Sequence, residues 1–72
     1  MPFTKEELEK LRTELPTHLR KEVAKKFNLK PGSLRNILSG RSNNEAVIFA
    51  AIETAAEYKQ ALSVKKQTIA SL

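Results

Sequence analysis

The chain has 72 residues, a net charge of +5 and no cysteine. A chain this short forms one small domain that buries only about 60% of its unfolded surface, so it depends on efficient packing or on association. Disulfide staples, thiolate zinc sites and a cysteine nucleophile are excluded, and the single His18 cannot build a metal site alone.

Phe3-Thr4-Lys5-Glu6-Glu7-Leu8 reads as a helix start. Thr4 is placed to accept from the backbone N–H of Glu7, Glu7 to reach back to Thr4, and Phe3 to pack on Leu8 as a hydrophobic staple. Leu8, Leu11 and Leu15 follow at i, i+3 and i+7, one stripe of a helix. Pro16 ends it by pushing Leu15 out of the α region.

The second helix is expected to open with Thr17 as N-cap. Leu19, Val23 and Phe27 form its buried line, with Ala24 beside them. Asn28 ends it, because asparagine tolerates a left-handed position after a helix, and Leu29 returns to the core. The third helix is short. Pro31 suits its first position, Leu34, Ile37 and Leu38 supply its apolar face, and Gly40 is its left-handed stop. Lys30 stands where a Ser or Thr cap is expected. Ser42-Asn43-Asn44-Glu45 then has a second capping-box pattern, opening the longest helix over roughly 43–62.

The fold class expected is therefore all-α, with four or five helices. Residues 1–62 form the domain, and 63–72, with Val64, Ile69 and Leu72 scattered among them, form a tail or a short packing element. The longest apolar run, Ala46–Ile52, is far below the ~18–20 residues that cross a membrane. No charged-then-apolar leader opens the chain, so a cytoplasmic location is expected.

Residues 1–42 hold ten basic and five acidic side chains, whereas 43–72 hold three of each. Arg20–Arg41 carries seven basic residues against the lone Glu22. Charge so placed points to a polyanionic partner; the alternative is a solvated basic face. The punctuated stretch also meets the requirements of two helices crossing steeply at close range. Ala24 is the small residue at the crossing, Asn28 takes the positive φ of the turn, and Val23, Phe27, Leu29, Leu34 and Ile37 are the anchors on both sides.

The stretch RKEVAKKFNLKPGSLRNILSGR, Arg20–Arg41, resembles the helix-turn-helix of phage-repressor and Cro-like DNA-binding domains. The small residue, turn and anchors fall at that family's spacing, ILSGR is similar to the close of its recognition helix, and SNNEAVIFAAIETAAEYK is similar to the helix that follows. The resemblance covers about residues 17–60, with the helix-turn-helix at about 17–40. It departs at Asn28, where glycine is commonest, and at Gly32, where the family often carries a base-reading side chain.

The resemblance implies that the third helix, about 31–39, enters the major groove of double-stranded DNA. Ser33, Arg35 and Asn36 would face base edges. Asn36 suits an adenine, and Arg35 a guanine or a phosphate. Phosphate contacts would come from helix starts and flanking cations: Thr17, His18 and Arg20, then Lys30, then Arg41, Ser42, Asn43 and Asn44. For His18 the alternative is a surface residue at a helix terminus. Lys21 and Lys25 fall away from the apolar line and read as solubilising charge.

Winding the fourth helix puts Val47, Ile48, Ala51, Ile52, Ala55, Tyr58 and Leu62 on one broad face, with Phe49 off it. Phe49, Ile52 and Ala56 make a second stripe that suggests a helix-mediated homodimer; packing under residues 63–72 is the alternative. The function expected is that of a small bacterial or phage transcriptional regulator. No cofactor, metal, membrane or small-molecule ligand is implied, and an enzyme is not expected. The rival readings are a protein-interaction module, adaptor-like or antitoxin-like, that uses the long helix, and an RNA-binding helical domain. The latter usually offers aromatic stacking platforms, whereas Phe3, Phe27 and Phe49 have structural explanations.

Overall fold

The computed structural model describes residues 2–72. It contains four α-helices, α1 Lys5–Glu14, α2 Thr17–Lys26, α3 Pro31–Leu38 and α4 Glu45–Ala70, and no strand among the described residues. α4 packs on each of the other three, and α1 and α2 both also touch α3. The core is Leu8 and Leu15, Val23 and Ala24, Leu34, Ile37 and Leu38, and Val47, Ile48, Ala51 and Ala55. Burying a Leu or Ile side chain stabilises the fold by about 1.5–3 kcal/mol. Losing one such contact therefore matters in a domain this small.

The start of α1 is a capping box. Thr4 Oγ1 accepts from Glu7 N at 3.1 Å, and Glu7 Oε1 accepts from Thr4 N at 2.8 Å. Leu15 leaves the helix in an extended conformation ahead of Pro16. α2 and α3 both end in the left-handed turn expected of them. Asn28 has φ 55° and Gly40 φ 85°. Leu29 N bonds Ala24 O at 2.8 Å and Asn28 N bonds Lys25 O at 3.2 Å; Arg41 N bonds Asn36 O at 2.9 Å and Gly40 N bonds Ile37 O at 3.2 Å. Each pair is a Schellman motif, satisfying carbonyls that a helix end would otherwise leave unpaired.

Two caps differ from the sequence expectation. Pro16, not Thr17, is the N-cap of α2, and its carbonyl accepts from Leu19 N and Arg20 N. Asn44, not Ser42, caps α4, with Oδ1 accepting from Val47 N at 3.3 Å. Ser42 is held by the preceding turn, where its N–H bonds Asn36 O at 3.2 Å. α4 also runs on to Ala70, so residues 63–70 are neither a loose tail nor a fifth helix. No Gly or Pro follows Gly40, and extending a helix is far easier than starting one. Every residue from Lys59 to Leu72 is exposed.

Candidate nucleic-acid interface

α3 is divided sharply between two environments. Leu34, Ile37 and Leu38 are buried, while Gly32, Ser33, Arg35 and Asn36 are exposed. Apolar residues on one side of an eight-residue helix fix its rotation, so the other polar positions are held outward. The hydrogen bonds among the described residues leave the side chains of Ser33, Arg35 and Asn36 unengaged. A Cβ built on Gly32 meets nothing within 4 Å, so packing does not require glycine there.

Around α3 the cations are unevenly free. Lys30, the N-cap of α3, is exposed and makes no side-chain cap bond. Arg41, Ser42 and Asn43 are exposed beyond its C-terminus, but Asn44 is half-buried, with its side-chain oxygen used on Val47. Thr17 is exposed at the first position of α2. His18 sits edge-on to Tyr58 of α4, ring centroids 5.9 Å apart. Arg20 is turned inward: its Nε donates to Leu15 O at 3.0 Å and its Nη2 donates to Arg12 O. Two of its donors thus cap the C-terminus of α1.

Sequence reasoning missed Arg12. Its Nη1 donates to Leu38 O at 2.6 Å, tying the last turn of α1 to the last turn of α3. The available signal was its place in the last turn of a helix, where arginine can satisfy terminal carbonyls. Arg12, Arg20, Lys21 and Arg35 rim a cleft of about 200 Å³ between α2 and α3, floored by Ala24, Leu34 and Leu38. No carboxylate lines it. Lys21, read from the sequence as mere solubilising charge, belongs to this basic rim.

The second stripe of α4 is exposed as its spacing suggests, but not bare. Phe49 is 50% exposed and meets the edge of Phe3, with centroids 5.9 Å apart. Ile52 is 38% exposed, and Ile52 and Ala56 line a shallow trough against Leu11 of α1. No helix is long and apolar enough to cross a membrane, and no cluster of metal-ligating residues occurs among the described residues. No protein-family model, curated protein or solved structure matches the chain.

Proposed function

We propose that this protein binds double-stranded DNA as a helix-turn-helix module, with sequence preference, by laying the exposed face of α3 in the major groove. The observation that carries the reading is the two-sided character of α3. Its apolar side is buried, and its free polar side presents Ser33, Arg35 and Asn36 between the cations Lys30 and Arg41. The left-handed turn at Asn28, with Ala24 buried just before it, supports the motif. B-DNA's major groove admits an α-helix, and Asn and Arg are its commonest bidentate readers. Thr17 at the start of α2 and Lys21 one turn further on, with Ser42 and Asn43 beyond α3, supply phosphate contacts that hold register. Arg20 and Asn44, already bonded within the fold, position rather than contact.

The chain then acts as a small transcriptional regulator of bacterial or phage type, in the cytoplasm, binding as a homodimer. Pairing two α3 helices about a two-fold axis sets them ~34 Å apart on successive major grooves. Titration of random duplex DNA over a salt series tests the reading. The expected result is a log affinity that falls linearly with log salt as counterions are released. No duplex binding at low salt, or affinity indifferent to salt, overturns it.

The exposed Phe49, Ile52, Val64 and Ile69 favour a second reading, a protein-interaction module that works through α4. Such a module would bind duplex DNA no better than any basic protein, without site preference.

A further inference from the structure

Residues 59–72 are all exposed, yet they extend α4 in one unbroken helix to Ala70. The exposed apolar side chains include Leu62 at 38% and Ile69 at 68%. From Tyr58 onward the chain holds three lysines and no acid, whereas α1 holds four glutamates beside Lys5, Lys10 and Arg12. Two shallow depressions share Glu14 and Lys59 and so form one trough along α4. Its first end runs over Leu11, Ile52 and Ala56, with Glu7 and Lys10 at its rim. Its second end runs over Leu62, Ser63, Lys66 and Ala70.

These two ends complement each other. Phe49, Ala56, Ser63 and Ala70 recur every seven residues, with Ile52, Lys59 and Lys66 between them. That spacing keeps a stripe on one side of a helix that pairs with another. When the helix is turned about a two-fold axis near Lys59, small meets small at Ala56 and Ser63, and bulky Phe49 meets Ala70. In that arrangement the stem of Lys66 would cover Ile52 and its ammonium would extend toward Glu7, which lines the same depression. Each Lys59, already beside its own Glu14, would then come near the Glu14 of the second copy.

We propose that this trough receives a second copy of the chain, with the two α4 helices antiparallel and the projecting basic half of each lying on the α1–α4 face of the other. The proposal gives geometry to the homodimer of the reading above and rests on that pairing, not on DNA binding. It leaves the free face of α3 outside the contact. Isologous contacts of this kind are self-complementary by symmetry.

The chain has no cysteine, so single introduced cysteines report cleanly. Ala56→Cys and Ser63→Cys both fall at exposed positions. In the antiparallel pair, position 56 of one copy lies level with 63 of the other. Two copies of position 56 are instead offset by about 10 Å along the helix, beyond the ~7 Å between Cα atoms that a disulfide spans. Under mild oxidation, an equimolar mixture of the two full-length variants should form covalent dimer, while each variant alone should not. Lys66→Glu should raise the dimer dissociation constant at least tenfold by sedimentation at low salt, with helicity unchanged. A chain that is monomeric up to ~1 mM, self-linking of Ala56→Cys as fast as the mixed reaction, or a Lys66→Glu variant that dimerises normally overturns the proposal. Mixed cross-linking in a chain that binds no duplex supports it and removes the DNA reading alone.

Discussion

Arg12 of α1 holds the carbonyl of Leu38 at the end of α3, 2.6 Å from its guanidinium. The bond crosses 26 residues of chain and joins the two helices at their C-terminal ends. A charged donor on a half-buried carbonyl stabilises by about 1.5–3 kcal/mol. Arg12→Ala should lower folding stability by about that much in urea titration. An unchanged midpoint would show that water replaces the guanidinium without loss.

Arg20 and Arg41 look equivalent in the sequence and differ in the fold. Arg20→Ala removes the donors from Leu15 O and Arg12 O and should lower the melting temperature. Arg41→Ala, at an exposed position, should leave melting unchanged while weakening binding to all duplexes alike and reducing the salt slope by about 1. Thermal melts beside binding titrations of both variants separate the two roles.

Asn36→Ala tests reading against holding. The expected cost is about 1–3 kcal/mol on the preferred site, with choice relaxed at one base position and helicity intact. Full retention of preference in selection from random duplexes would remove Asn36 from the readers.

Gly32 is open space inside a helix. Gly32→Ala should therefore stabilise the fold by up to about 0.5–1 kcal/mol through helix propensity alone. Gly40→Ala should do the opposite, because φ there is 85° and the new Cβ would lie 3.3 Å from Leu8 Cδ1. Paired denaturation curves check both signs.

Phe49 and Ile48 are neighbours with opposite fates. Ile48 is fully buried and Phe49 is half exposed. Ile48→Glu should unfold the domain. Phe49→Glu should stay folded, losing only its edge contact with Phe3, worth about 0.5–1.5 kcal/mol, and should sediment as a monomer. Circular dichroism and sedimentation on both variants decide.

Four helices, most of their buried positions and both left-handed turns were legible in the sequence, because each rests on local rules. Leu19 and Phe27 are only half-buried, and Ile52 and Leu62, expected on the inner face of α4, are exposed because no other helix fully covers that side. Leucine spacing, proline and asparagine or glycine act within one turn of the chain. The cap of α4 was misplaced because Ser42 and Asn44 offer similar chemistry, and only the turn after Gly40 decides which of them is free. The extension of α4 beyond Leu62 was missed because weak helix formers such as Val64 and Ile69 hide the absence of any stop. In the candidate interface, the exposure of Ser33, Arg35 and Asn36 followed from periodicity. The inward turn of Arg20 did not, since it depends on carbonyls that another helix brings near.

Two turns of helix have no standing of their own in water; a nucleus so short is far below the ~12–15 residues at which isolated helices become even marginal. α3 exists because Pro31 opens it, Gly40 closes it and three side chains anchor it to the core. Its conformational entropy is thus surrendered once, when the domain folds, and whatever it meets encounters a surface already shaped. Association through α3 should accordingly show a heat-capacity change no larger than the contact area alone requires, without the added increment that marks folding coupled to binding.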